Sequence, residues 1–402
     1  MEPLVIVGAG MASASLVVSY RQIDPERPIV VVGDEPYLPY SRPPLCKDFL
    51  TGTEGVEKLF IRRAEFYDDR NVEFRLRDRV TSIDVEGRVV TLAADVQVRF
   101  GDLVIATGSS NLRPPGFEQA FDLRTGADSL RLRAHISSGD ALLIVGGGLI
   151  GMEAASTAIA AGSAVTIVEA ANRVLSRVAS EELSRHLLER ARSAGVDVRL
   201  STLVDACRRR DVRLASGGSL RSDVVLLAIG VTPNVDLAAA AGLEVMDGIV
   251  VDEFLRTSAR HVFAIGDCAR FLVPGTGGMR RRLESVSNAT EQARCLAWTL
   301  TGDPRPFEHV PTTWSHQFGD RVQLAGVAPP GARSVMRGIP SDGSFSVFRF
   351  DGMRLAAVES VNAPSDHVTA KRMLARGSGL HVTPTEVADP RIPLSALVAK
   401  SA

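Results

Sequence analysis

Cysteine is scarce in this chain, with four in 402 residues: Cys46, Cys207, Cys268 and Cys295. None stands at C-x-x-C or C-x-x-x-x-C spacing, which argues against a metal site, an iron–sulfur cluster of the chain's own or a local redox disulfide. Redox chemistry here would need a bound organic cofactor. Net charge is also missing, since 46 Lys and Arg oppose 47 Asp and Glu, and no long basic run occurs. Nucleic acid is therefore not an expected partner. The short cluster Arg280-Arg281-Arg282 is the main local exception. No uninterrupted apolar run reaches the roughly 20 residues that span a bilayer. Met1 leads directly into the apolar run Leu4 to Val7, which leaves no room for a signal peptide. A cytoplasmic protein that does not enter the membrane is expected. The length exceeds one ordinary core, so two or three domains are expected.

What the chain does have is a complete dinucleotide signature from Ala141 to Glu169, ALLIVGGGLIGMEAASTAIAAGSAVTIVE. An apolar run ends in Gly146-Gly147-Gly148, small residues follow at helical spacing, and a second apolar run stops on Glu169. This is strand, glycine turn, helix, strand, acid. Gly146 permits the tight turn, Gly148 lets backbone N–H groups approach a diphosphate, and Gly151 lets the helix lie close on its sheet. The diphosphate then sits at the positive end of the helix. Glu169, about 20 residues on, is placed to accept hydrogen bonds from an adenosine ribose. A 2′-phosphate would meet that carboxylate head on, and Ala170, Ala171 and Asn172 offer no guanidinium, so NAD is expected over NADP.

The N-terminus carries a second copy: strand Leu4 to Val7, turn Gly8-Ala9-Gly10, helix Met11 to Gln22, and strand Ile29 to Val32 ending at Gly33-Asp34-Glu35. Ser13 occupies the third glycine position. Two fingerprints imply two dinucleotides, and two that exchange electrons are most economically FAD and a nicotinamide. Between the copies, the proline-rich Pro39 to Lys47 leads into a helix starting near Cys46. Val72 to Phe100 alternates as a small antiparallel meander, and Leu103 to Thr107 is a buried strand ending on Gly108. After the second copy, Val196 to Leu214 reads as another meander and Val224 to Ile229 as a strand ending at Gly230. Val262 to Ile265 ends in Gly266-Asp267. From Val310 the composition changes: strands Val322 to Val327, Phe345 to Phe350 and Arg354 to Glu359 are expected, with Asp351-Gly352 as a hairpin turn and a helix over Pro364 to Arg376. The fold expected is α/β, with two Rossmann-like dinucleotide-binding domains and a C-terminal α+β domain.

Taken in order, the motifs VIVGAG, VVVGDEP, PYSRPPLCK, LVIATG, LRT, VGGGLIGMEAA, AIGVTPN, VFAIGDCA, RLESVSNA, PTTWSHQF and ADPRIPL resemble the two-dinucleotide flavoprotein reductases of the glutathione-reductase fold. Within these the sequence is similar to the NADH-dependent ferredoxin reductases of cytochrome P450 and ring-hydroxylating dioxygenase systems. The resemblance implies a discontinuous FAD-binding domain (1–112 and 234–309), an NADH-binding domain (113–233) and a C-terminal interface domain (310–402). It implies FAD held by Gly8, Gly10, Ala12, Asp34, Glu35, Arg42, Lys47, Val80, Arg124, Asp267 and Val286, and NADH held by Ile150, Glu153, Glu169, Arg177 and Gly230. Asp267 reads either as a ribityl ligand or as the cap of the helix after it. Arg177 reads either as a fork toward the diphosphate or ribose or as a solvated helix charge.

The resemblance further brings Lys47 and Glu153 together beside the hydride-accepting nitrogen of the flavin, where an ammonium favours negative charge on the reduced ring. The plainer alternative is a structural ion pair. Trp314 would lie near the flavin edge or pack as an ordinary aromatic. The activity implied is NADH:ferredoxin oxidoreduction, with a separate 2Fe-2S ferredoxin as acceptor and a P450 or dioxygenase downstream. Arg280, Arg281, Arg282 and Arg294 offer a basic docking face for an acidic ferredoxin. Three positions depart from the family pattern: Cys46 for serine, Thr312 for tryptophan and His316 for aspartate. Cys46, beside Lys47 at a helix start, would have a depressed pKa and react, or simply replace serine. Two alternative functions follow, an NADH oxidase or peroxidase using Cys46 and a binding switch resembling apoptosis-inducing factor.

Overall fold

The structure, a computed structural model, describes residues 1–377 and 382–399. The chain divides into two compact units. The first comprises Met1–Ser41, Gly55–Ser110 and Thr232–Pro311; the second comprises Arg42–Glu54, Asn111–Val231 and the chain from Thr312 onward. The divisions fall at 110/111, 231/232 and 311/312. Two features differ from expectation: Arg42–Glu54 groups with the second unit, and the C-terminal segment is not a compact unit of its own. Positions 378–381 and 400–402 of the expected third domain lie outside the described residues.

The first unit is built on a five-stranded parallel sheet in the order Val262–Ala264, Asp102–Ile105, Leu4–Val7, Ile29–Gly33, Val72–Leu76. Leu4–Val7 and Ile29–Gly33 are buried throughout, as expected of apolar runs covered on both faces. Strand order reverses direction around Leu4–Val7, the switch point outside whose carboxyl end nucleotides bind. The helix Met11–Arg21 crosses over from it and packs against Val286–Leu300. The antiparallel meander holds only Val80–Asp84, Val89–Leu92 and Gln97–Arg99. Val72–Leu76, expected in that meander, is instead the edge of the parallel sheet.

The second unit repeats the design, with the order Asp197–Arg199, Val165–Val168, Leu142–Val145, Val224–Leu227. Asp197–Arg199 is again a parallel edge strand rather than the start of the meander, which spans Val204–Arg208, Asp211–Leu214 and Ser219–Arg221. The C-terminal segment forms a five-stranded antiparallel sheet, Thr312–Gln317, Asp320–Gly326, Arg354–Val361, Ser344–Asp351, Arg333–Ile339. Asp351 pairs with Arg354, so the hairpin turn is Gly352-Met353, one residue later than expected. The helix Pro364–Ala375 packs on this sheet.

Polar side chains fix the helix Glu181–Ser193 to that sheet. Glu359, only 3% exposed, accepts the Ser180 N–H at 2.9 Å, the Ser180 hydroxyl at 2.6 Å and Arg349 Nη1 at 3.0 Å. One turn further along, His186 Nε2 meets Asp320 Oδ2 at 2.8 Å, and Arg190 approaches the same carboxylate.

A pH-sensitive contribution to stability comes from His367, 7% exposed on the helix Pro364–Ala375. Burial, then Lys371 and Arg321, push its pKa from the usual 6.5 down to about 4. The folded chain therefore holds this imidazole neutral while the unfolded chain protonates it below pH 6.5. Stability from this group is complete above that value and is lost as pH falls toward 4. Between pH 6.5 and 5 the loss amounts to roughly 1 to 2 kcal/mol. Thermal unfolding of wild type and His367→Leu, at pH 7 and pH 5, should show a smaller acid-induced drop in the variant.

Candidate active site

Both glycine turns have the geometry that a diphosphate requires. Gly8 has φ +110° and Gly146 φ +109°, a region open to glycine and strained for other residues. A Cβ on Gly8 would strike the Ala106 carbonyl, and one on Gly146 the Ala228 carbonyl. By contrast, a Cβ on Gly10 or Gly148 would meet nothing within 4 Å. Those two residues are the N-caps of Met11–Arg21 and Leu149–Ala160, and neither helix has a side-chain cap or an acidic residue in its first turn. Three of the longer helices are closed by side chains instead: Thr125, Ser180 and Ser285 cap Gly126–Ser138, Glu181–Ser193 and Val286–Leu300. The first-turn N–H groups of Met11–Arg21 and Leu149–Ala160 thus lack both an intrahelical acceptor and a side-chain cap, which fits a diphosphate at each.

The third fingerprint position is solved differently in the two copies. A Cβ on Gly151 would collide with the Gly146 carbonyl. Ser13 is fully buried and its hydroxyl donates to the Gly8 carbonyl, so the departure from glycine is met by a hydrogen bond.

Around the first turn, a Cβ on Gly266 would lie 3.3 Å from that of Ala12, which sets Asp267 beside the opening of the helix. Asp267 Oδ2 accepts the Ser109 hydroxyl at 3.1 Å. Gly33 and Glu35 carbonyls accept the N–H groups of Asp78 and Arg77, bringing Asp34, Glu35 and buried Val80 into one neighbourhood. Asp34 pairs at the surface with Arg79 and Glu35 accepts the Tyr40 hydroxyl. Val286 opens the helix capped by Ser285. In the second unit, the Arg42 guanidinium donates to the Arg124 carbonyl.

Around the second turn, Glu169 is fixed by backbone. Its Oε2 accepts the Gly147 N–H at 2.6 Å and its Oε1 the Ala171 N–H at 2.7 Å. Arg177 Nη1 lies 3.3 Å from where a Cβ on Gly230 would stand, and Gly230 has φ +118°. Ile150 and Trp314 are 45% and 39% exposed.

Lys47 and Glu153 do meet, with Nζ 3.0 Å from Oε2. Glu153 is 4% exposed, and its remaining valences are filled: Ser315 Oγ donates to Oε1 at 2.6 Å, the His316 N–H reaches Oε1 at 3.3 Å and Cys46 Sγ donates to Oε2 at 3.0 Å. Ser315 lies within the PTTWSHQF motif, but nothing in the sequence marks it as a partner of Glu153.

At two places the structure bears on readings the sequence leaves open. Cys46 is 2% exposed, and burial, reinforced by the adjacent Glu153 carboxylate, pushes its thiol well up rather than down. Its Sγ donates to Glu153, the role that the serine of the family pattern would fill, and its burial offers no support to the peroxidase alternative. The basic docking face also shrinks. The Arg282 side chain is 9% exposed and bonds the Asp267 carbonyl, Glu284 and Asp247; Arg294, 60% exposed though paired with Glu291, and Arg280 and Arg281 remain at the surface. Among the described residues no helix is long and apolar enough to cross a membrane.

Each unit carries one Rossmann-type glycine turn, the pattern of a chain that binds two dinucleotides. The family described as pyridine nucleotide-disulphide oxidoreductase matches residues 2–293, and the one described as Reductase C-terminal matches 312–398; the chain belongs to the pyridine nucleotide-disulphide oxidoreductase family. It is similar to rhodocoxin reductase of Rhodococcus erythropolis, 39% identical over 99% of this chain and 94% of that protein. Among solved structures it is similar to the ferredoxin reductase for the CYP199A2 system from Rhodopseudomonas palustris (TM-score 0.95, 37% identity, 99% of this chain and 100% of that one). A comparable likeness holds to putidaredoxin reductase in its covalent complex with putidaredoxin (TM-score 0.95, 34% identity, 100% and 99%).

Proposed function

We propose that this chain is an FAD-dependent NADH:ferredoxin reductase whose 2Fe-2S ferredoxin serves a cytochrome P450 or a ring-hydroxylating dioxygenase. The observation that carries the reading is the pair of uncapped helix N-termini behind glycine turns, each suited to a diphosphate. Whole-length likeness to ferredoxin reductases supports the choice of acceptor. FAD, when bound, supplies the conversion of a hydride's electron pair into single electrons.

The chain's own residues do the rest. The N–H groups after Gly10 and Gly148 bind the diphosphates. Glu169, held by two backbone N–H groups, accepts from the ribose hydroxyls and favours NADH over NADPH. Asp267, braced by Ser109, accepts from a flavin hydroxyl. Lys47 presents an ammonium whose counter-charge, Glu153, is shielded from water. In that low-dielectric setting its field acts strongly on negative charge that develops beside it.

The test is NADH-driven cytochrome c reduction by protein that shows a flavin spectrum, with and without candidate 2Fe-2S ferredoxins. Turnover should depend on an added ferredoxin and should weaken as salt rises. Turnover that is the same without any ferredoxin would overturn the reading.

A further inference from the structure

The strand Thr312–Gln317 carries the donors that fix Glu153. Ser315 is 1% exposed and donates to Oε1 at 2.6 Å. Gln317, also 1% exposed, donates from Nε2 into the Ser315 oxygen at 2.8 Å. Because Gln317 occupies a Ser315 lone pair, the single hydroxyl proton of Ser315 is directed to the carboxylate. One residue on, the Phe318 N–H donates to Ser156 Oγ at 2.7 Å. The strand is thus pinned to the helix Leu149–Ala160 at positions 153 and 156, which share a face.

A carboxylate is planar, so holding one oxygen sets the direction of the other. Oε1 faces the C-terminal sheet through Ser315 and His316, while Oε2 faces Lys47 and Cys46. Without the Ser315 hydroxyl, Oε1 would retain only the His316 N–H at 3.3 Å, and the group could turn. Lys47 would then lose its fixed acceptor, its other contact being the Pro43 carbonyl at 3.5 Å.

We propose that Ser315, oriented by Gln317, is a positioning residue for the Lys47–Glu153 pair: the C-terminal segment fixes the Glu153 carboxylate and, through it, the place of the Lys47 ammonium. This rests on reading that pair as the one that assists hydride transfer. The wider consequence is that the C-terminal segment contributes to the NADH half-reaction, not only to contact with an acceptor.

The experiment compares flavin-loaded wild type, Ser315→Ala, Ser315→Cys, Gln317→Met and Glu153→Gln. Stopped-flow mixing with NADH gives the limiting rate of flavin reduction and the NADH dissociation constant. Independently, the pH profile of Lys47 acetylation by acetic anhydride, read by peptide mass spectrometry, reports the ammonium whether or not hydride moves. Ser315→Ala should cut the limiting rate about tenfold, as expected for one hydrogen bond to a buried carboxylate, and leave the dissociation constant within about threefold. It should also make Lys47 label more readily near neutral pH. Ser315→Cys, which keeps a donor of similar size, should recover part of both effects. Gln317→Met tests the same chain without touching Glu153 and should move both readouts in the same direction. Wild-type rates and labelling in Ser315→Ala, or in Gln317→Met should the alanine variant not fold, would overturn the positioning role. A wild-type rate in Glu153→Gln would instead overturn the reading of the pair itself, and with it the proposal.

Discussion

Lys47→Ala is expected to lower the limiting rate of flavin reduction by NADH about 100-fold, roughly 2.7 kcal/mol of barrier, while changing the NADH dissociation constant less than about threefold. The reason lies in what remains after the deletion. Glu153 keeps Ser315, His316 and Cys46 as donors, so the buried carboxylate is not orphaned and the fold should survive. What changes is the charge of the cluster. A neutral pair becomes a net negative site, and the field that favoured incoming negative charge now opposes it. Because Glu153 is 4% exposed and the Lys47 side chain 19%, solvent screens this reversal less than at an open surface. Stopped-flow absorbance at the flavin band measures the effect directly. A limiting rate unchanged by Lys47→Ala would leave the ion pair a structural one.

Replacing Glu169 by alanine should raise the ratio of NADPH to NADH specificity, as kcat/KM, about 100-fold. The wild-type carboxylate cannot swing aside for a 2′-phosphate, because Gly147 and Ala171 N–H groups hold one oxygen each at 2.6 and 2.7 Å. A phosphate charge about 4 Å from a fixed carboxylate costs about 4 kcal/mol at an effective dielectric constant of 20. Removing the acid lifts that penalty and also deletes the acceptor for the NADH ribose hydroxyls, so the two substrates move in opposite directions. NADPH should not become strongly preferred, since Ala170, Ala171 and Asn172 offer no cation. Steady-state kinetics with both nucleotides decide the point. A ratio that moves less than threefold would mean that another residue discriminates.

These two sites were legible for different reasons. The span Ala141 to Glu169 is local, and glycine constraints, helix spacing and the closing acid are all written within one βαβ unit. Lys47 and Glu153 stand far apart, and no local pattern pairs them; only resemblance to a family did. Ser315 escaped both routes. It is separated from Glu153 by 162 positions, and a lone serine in a strand carries no pattern.

The errors in the fold have a common cause as well. Val72–Leu76 and Asp197–Arg199 are edge strands of parallel sheets with one face open to solvent. Their alternating pattern is that of an antiparallel meander, which pattern alone cannot distinguish. Arg333–Ile339 was missed as a strand because it is an edge with little fully buried surface. Of the two readings of Cys46, the depressed pKa assumes exposure, which sequence does not encode; the buried donor to Glu153 fits the other, a small replacement for serine.

Glu359 bears on how such chains can be recombined. Two separate family descriptions match the chain before and after residue 312, which invites treating the C-terminal segment as a cassette. Yet its buried acid closes the start of the helix Glu181–Ser193, and its Asp320 receives His186 and Arg190 from the same helix. This segment, placed against a foreign helix, would leave Glu359 short of donors wherever that helix lacks the counterpart of Ser180. The inheritable unit is thus the segment together with one face of that helix, and Ser180, His186 and Arg190 have to travel with it.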